Sequence, residues 1–214
     1  MIRYHKGACP KELTEFAATE GADWDGFSGK GTVRAALLRD QRSLCAYCQR
    51  RIVDDPTTTK VEHWIARSDP HEGAGHQLEW FNLVGVCLGV TMDERHCDTA
   101  RGDRPLWLGP VEGRGRDPRR HLRYRRDGRA ATHPSQREAE QDPEILNLNA
   151  RFLRRNRKAI LDAIEDALKR GGFKPGDLRR MLDGLDGPGP AREYVEVARD
   201  YLTRKLAALT NRDR

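Results

Sequence analysis

LCAYCQRRIVDDPTTTKVEHWIARSD, Leu44–Asp69, joins a close cysteine pair to an acid-histidine dipeptide. It opens on two cysteines separated by two residues, Cys45 and Cys48, and fourteen positions after the second it carries Glu62-His63 between apolar neighbours. A cysteine pair at this spacing can hold one tetrahedral zinc ion while the backbone folds into a knuckle, and a second pair from elsewhere completes the sphere. Cys87 and Cys97 supply that pair if the nine residues between them, LGVTMDERH, form a looped insertion. His96, next to Cys97, is the alternative fourth ligand, and the sequence leaves the choice open. Cys9 lies apart in the N-terminal segment and reads as a bystander thiol.

Working outward, TVRAALLRDQRSL places Val33, Leu37 and Leu44 near one face with Thr32 as N-cap, which predicts a helix delivering Cys45 and Cys48 at its end. KVEHWI reads as a short strand from its Val, Trp and Ile content, and LEWFNLVGVC as a loop with a further strand or helix leading into Cys87. DPHEGAGHQ between them is polar and glycine-containing, hence a surface loop. The first thirty residues are turn-rich, end in GFSGKG, and are expected to be irregular structure over the core.

Further along, HLRYR and RAAT flank Asp127-Gly128, which suits the tight turn of a hairpin. The remainder is helical. NLNARFLRRNRKAILDAIEDALKRGG has Asn149 as N-cap, Phe152, Leu153, Ile160, Ile164 and Leu168 at helical spacing, and Gly171-Gly172 as its stop. PGDLRRMLDGL suggests a short helix. PAREYVEVARDYLTRKLAAL starts on Pro190, suited to a first helical turn, and carries Tyr194, Val197, Tyr201, Leu202, Leu206 and Leu209 on one stripe.

Composition narrows the function classes. In 214 residues no stretch approaches the roughly 18 uninterrupted apolar residues of a spanning helix, and MIRYHKGACPKEL lacks a signal-type apolar core. A cytoplasmic protein without a membrane partner is expected. The charged fraction of 34% raises the question of disorder, which the periodic apolar segments and four tryptophans answer in favour of a folded chain. A net charge of +6 favours a polyanionic partner. Five cysteines is an odd number, which speaks for metal over a disulfide framework.

Glu62, His63 and Asn82 lie inside the span bracketed by the cysteines, and Asp98 follows Cys97 directly. Phosphodiester hydrolysis needs a deprotonated water and a cation to neutralise charge on phosphate and leaving oxygen. His63 suits general base work, Glu62 and Asp98 offer hard oxygen ligands for magnesium or another divalent cation, and Asn82 can orient His63 through its amide. Asn82 equally suits the cap of a helix beginning at Leu83.

The order C-x2-C, E-H, N-L, a cysteine, then C-D and a basic residue resembles the HNH endonuclease motif, a ββα-metal fold with arms tied by structural zinc. The resemblance gives Glu62 and Asp98 the catalytic metal, His63 the water, and Asn82 the positioning of His63, with zinc on Cys45, Cys48, Cys87 and Cys97. At Asp98 the family commonly carries histidine or asparagine, so His96 stands as an alternative catalytic ligand. Arg101 stands where a lysine is usual and preserves a phosphate-clamping charge. LRDQRSLCAYCQRRI, VEHWIARSD, EWFNLVGVC, HCDTARG and ILNLNARFLRRNR resemble, in order, the HNH nuclease subunit of the Septu anti-phage defence system and its retron-associated relatives, over about Val33 to Arg157. That implies a defensive nuclease acting with an ABC or SMC-like ATPase.

The arginines at 114, 116, 119, 120, 123, 125, 126 and 129 are expected to track phosphates, Arg119, Arg120, Arg123, Arg125 and Arg126 foremost, with Tyr124 available to stack on a base. A solvated face or a patch for an acidic protein is the plainer alternative. The other histidines, His5, His71, His76, His121 and His133, receive no role. The expected architecture is α+β: an irregular segment (1–31), a zinc-stabilised ββα-metal core (32–105), a basic β-hairpin and linker (106–134), and a C-terminal helical region (135–214). DNA is the expected substrate, with RNA second. The competing classes are a catalytically silent zinc module that binds nucleic acid or protein, and a cysteine redox switch.

Overall fold

The strand expected over KVEHWI is present in the computed structural model, which describes residues 1–91, 93–132 and 141–211. It is β1 (Thr59–His63), and it pairs antiparallel with β2 (Leu83–Cys87), Thr59 opposite Cys87 and His63 opposite Leu83. In chain order the helices are α1 (Lys11–Ala17), α2 (Lys30–Asp40), α3 (Gly73–His76), α4 (Cys97–Arg101), α5 (Pro118–His121), α6 (Asp142–Ile145), α7 (Arg151–Gly171), α8 (Pro175–Asp183) and α9 (Val195–Thr210). A second antiparallel pair, β3 (Leu122–Tyr124) with β4 (Ala130–Thr132), makes the fold mixed α+β with two small sheets. His133 and the expected 134/135 boundary lie outside the described residues.

The N-terminal thirty residues are more ordered than expected. They contain α1, and Leu13, Trp24 and Phe27 join Val33, Ala36, Leu37, Trp80 and Leu83 in a buried cluster of their own. Met1, Ile2 and Tyr4 run instead into the main core, which also takes in the knuckle, β2, the hairpin and α7 to α9. The DPHEGAGHQ segment, expected as loop, holds the single turn α3 with Gly73 buried.

α2 starts at Lys30 with Gly29 at its cap, so Thr32 sits inside the first turn and is no cap. The helix does not carry the cysteines at its end. It stops at Asp40, and Arg42 and Ser43, at φ 52° and 60°, turn the chain into the Leu44–Arg51 bridge that forms the knuckle. Gln41, 2% exposed, fastens this turn to β2. Its Nε2 donates to the carbonyls of Leu44 (2.7 Å) and Gly85 (2.8 Å), and its Oε1 accepts from Gly85 N (2.6 Å) and the Tyr4 hydroxyl (3.1 Å). Buried polar groups left without partners cost roughly 1–3 kcal/mol each. Gln41→Ala is therefore expected to lower stability by about 3 kcal/mol, read as a shift in urea midpoint at unchanged slope.

The hairpin is as expected. Gly128 at φ 78° closes the turn, with Gly128 N bonded to Arg125 O and Arg125 N to Arg129 O. A Cβ at Gly128 would stand 2.0 Å from Arg154 O, so glycine is needed here for packing on α7 as well as for φ. Asn149 is not the cap of α7. Its amide brackets Ala130 instead, accepting from Ala130 N and donating to Ala130 O, and Ala150 occupies the cap position. Gly172, left-handed at φ 75°, ends α7 as the sequence indicated. α9 begins at Val195, five residues after Pro190, because Ala191 N and Tyr194 N are committed to Arg42 O and Gln49 O on the knuckle.

Candidate metal centre and active site

Cys45, Cys48, Cys87 and Cys97 converge from the knuckle, the end of β2 and the start of α4, all buried, with every Sγ within 4.8 Å of the others. The Sγ separations of 3.9 Å (Cys45–Cys97), 3.7 Å (Cys48–Cys87) and 3.8 Å (Cys87–Cys97) match the edge of about 3.8 Å in a tetrahedron with Zn–S near 2.3 Å. All five cysteines are free thiols. The donor set thus fits a tetrahedral metal. Burial pushes the Cys48 and Cys97 thiols up, while hydrogen bonds from Cys45 and the other thiols pull Cys87 down, and a central cation would settle all four as thiolates.

The insertion between Cys87 and Cys97 is pinched shut by His96 N donating to Gly89 O at 2.7 Å. Gly89 has φ 69°, and a Cβ there would meet His96 O at 1.9 Å, so only glycine closes the loop. Cys97 itself is held at φ 54° with its N–H on Leu146 O at 2.8 Å. His96 is neither the fourth corner of the cluster nor part of the acidic site. Its Nδ1 lies 3.1 Å from Cys97 Sγ, where it can donate to the thiolate, and its buried Nε2 has no partner among the described residues.

Side chains on a strand alternate in direction, which separates Lys60 and Glu62 from Val61 and His63. Glu62 turns towards α4, where Asp98 stands in the first turn and Arg101 one turn later. Arg101 donates to Glu62 Oε1 at 2.7 Å, and Lys60 Nζ lies 2.9 Å from Asp98 Oδ2. Burial, then the charge of Asp98, pushes the Glu62 carboxyl up to about 8 despite Arg101. A divalent cation between these two carboxylates would stabilise the ionised form.

His63 is 6% exposed and meets the Trp24 ring edge-on, centroids 5.0 Å apart. Its Nε2 stands 2.9 Å from Gln77 O; a carbonyl only accepts, so Nε2 carries the proton and Nδ1 keeps its lone pair. Burial brings the imidazole down to about 4, leaving it neutral at pH 7. Glu62, His63 and Asp98, with Trp24, Val61 and Arg67, line one pocket of about 350 Å³.

Asn82 does not touch the His63 ring and does not cap a helix. Fully buried, it accepts from Ile65 N at 2.7 Å and donates to Ile65 O and His76 O at 3.1 and 3.0 Å. It therefore fixes the backbone that follows His63 and the carbonyl preceding Gln77, the residue that holds His63 Nε2. Arg101 is no phosphate clamp either. Its side chain is 0% exposed, and its N–H groups go to Arg104 O, Tyr47 Oη, Glu62, His63 O and Trp64 O. Removing one partner of a buried ion pair costs about 3–5 kcal/mol. Arg101→Ala is expected to lose stability in that range, measured by urea denaturation.

The basic patch is largely consumed by structure. Arg119 grips Glu196 through two bonds of 2.9 and 2.8 Å, Arg126 pairs with Glu165, and Arg123 donates to the carbonyls of Arg119 and Leu122. Tyr124 is buried, its hydroxyl accepting from Gln49 and from the Met1 amine, so it offers no ring to a base. Arg120 and Arg125 are exposed, and no partner engages either guanidinium among the described residues. Sequence reasoning missed Trp24, Lys60, Arg67 and Gln77. Only Lys60 had a signal, being two residues before Glu62 on a strand.

With this geometry in place, the similarity becomes informative. Over 100 residues the chain is 33% identical to "Retron Ec83 putative HNH endonuclease" of Escherichia coli. The match covers 42% of this chain and 39% of that protein, so the chain spans well under half the length of its relative. It supports the HNH family assignment and, at that level, a nuclease. No protein-family model matches the chain. Among the described residues no helix is long and apolar enough to cross a membrane.

Proposed function

We propose that this protein is a divalent-metal-dependent HNH endonuclease that hydrolyses phosphodiester bonds, with DNA as the favoured substrate and RNA second. The observation that carries this is the neutral His63, its Nε2 tied to Gln77 O, sharing a pocket with the paired acids Glu62 and Asp98. β1, β2 and α4 follow in the order of a ββα-metal unit, and the similarity to the retron-encoded relative points the same way.

In this reading His63 Nδ1 takes a proton from the attacking water. Gln77 O and the Asn82 bracket keep the ring in that tautomer and place. Glu62 and Asp98 would hold a magnesium or similar ion, which supplies charge neutralisation on the phosphate and the departing 3′ oxygen. Arg101 and Lys60 orient those carboxylates. The four cysteines would hold structural zinc, fixing β2 and α4 relative to β1. The protein would act in the cytoplasm as the effector of a Septu- or retron-type defence system, with an ABC or SMC-like ATPase subunit.

A second reading, a silent zinc module that binds nucleic acid or protein, has one observation in its favour. Lys60 and Arg101 already neutralise the two acids, as they would where no cation binds. Supercoiled plasmid, single-stranded DNA and single-stranded RNA, each incubated with wild type and Glu62→Gln in magnesium or manganese, separate the readings. Cleavage of plasmid by wild type alone is expected. Binding of all three without cleavage, in the presence of the ATPase as well, would favour the silent module.

A further inference from the structure

We propose that Arg67 is the residue that binds the non-bridging oxygens of the scissile phosphate, and that Asp25 holds it in readiness until substrate arrives. This rests on the nuclease reading above. With Arg101 buried and fully committed, the pocket needs another cation for the phosphate. Arg67 lines the same pocket as Glu62, His63 and Asp98, and its charge reaches the His63 ring.

The backbone around it is rigid. Asn82 clamps Ile65 on both sides, Asp69 N bonds to Ala66 O, and the Asp69 carboxylate accepts from His71 N and Glu72 N at 2.9 Å each. The guanidinium, by contrast, has a single partner among the described residues, Asp25, at 2.8 Å, with the two side chains 44% and 77% exposed. An ion pair that exposed contributes little, so a phosphate can displace it. A guanidinium can engage two phosphate oxygens at once, where an ammonium acts as a point charge. Asp25 neighbours Trp24, the wall of the pocket against His63, so the N-terminal segment would both shield the base and park the phosphate ligand.

The test is single-turnover plasmid cleavage by wild type, Arg67→Ala, Arg67→Lys, Asp25→Ala and His63→Ala, with zinc content and thermal midpoint measured on each. Arg67→Ala is expected to slow cleavage about 100-fold at unchanged zinc and midpoint, as loss of one transition-state donor does. Arg67→Lys should recover part of the rate, and Asp25→Ala should lower the half-saturating protein concentration about threefold by freeing the guanidinium. Arg67→Ala cutting at the wild-type rate while His63→Ala is inactive would overturn this inference and leave the nuclease reading standing. A slow Arg67→Ala that has also lost zinc or thermal midpoint would assign a structural role and overturn it too. A wild type that stays inactive with the ATPase present would overturn both.

Discussion

His63→Ala is expected to retain zinc and fold yet lose cleavage by about 10²- to 10⁴-fold, the usual contribution of a positioned general base. The loss should fall on kcat, because the ring sits against Trp24 and Gln77 and Nδ1 is its nitrogen without a partner among the described residues. The pH profile carries the same signature. The base must be neutral to work, and burial brings His63 down to about 4, so at saturating magnesium its protonation should not limit activity until pH falls well below the ordinary histidine range near 6.5. Glu62 sets the earlier acid limit. Its carboxyl, pushed up to about 8, must ionise to hold a cation, so activity at low magnesium should rise as pH climbs towards 8. Saturating magnesium should move that rise to lower pH. Profiles of kcat/KM against pH at two magnesium concentrations check both limbs.

Removing the zinc proposed for the cysteine cluster is expected to have the largest effect on the molecule as a whole. Structural zinc binding is worth about 10–16 kcal/mol in zinc-finger peptides, comparable with the whole stability of a domain, about 5–15 kcal/mol. Here the cluster joins the knuckle, β2 and α4, and through Cys97 N it reaches Leu146 in the C-terminal region. Gln49, beside Cys48, accepts from Glu196 N and donates to Tyr124, so the knuckle also carries the hairpin and the start of α9. Cys45→Ser, or treatment with a strong chelator, should therefore abolish near-UV circular dichroism and cleavage together, and zinc restored to the chelated wild type should recover both. A chelated protein with an unchanged thermal midpoint would assign the cluster no structural weight.

Much of this was legible in the sequence, for identifiable reasons. Cysteine spacing marks a metal cluster because four thiolates must reach one point, and no helix or strand period mimics that. Hydrophobic period gave α7 and the body of α9, and the Asp-Gly turn gave the β3–β4 hairpin, since each is decided locally. What escaped was decided by distant partners. Arg101 resembles a surface cation until Glu62, Tyr47 and three carbonyls close around it, and Asn149 resembles a cap until Ala130 pairs with its amide. The arginine-rich run looked like one phosphate-binding surface because Glu165 and Glu196, which neutralise Arg126 and Arg119, lie in helices far along the chain. The Asn82 amide is bonded to backbone at residues 65 and 76 and not to the His63 ring, an arrangement that no motif records.

We propose that the pocket at Glu62, His63 and Asp98 performs metal-dependent phosphodiester hydrolysis. Nicking of supercoiled plasmid by zinc-loaded protein, followed across a magnesium titration, tests it most directly. The expected result is no nicking in EDTA and a rate that rises with magnesium to a plateau. Plasmid bound by the zinc-loaded protein together with its ATPase, yet left uncut at every magnesium and manganese concentration, would contradict it.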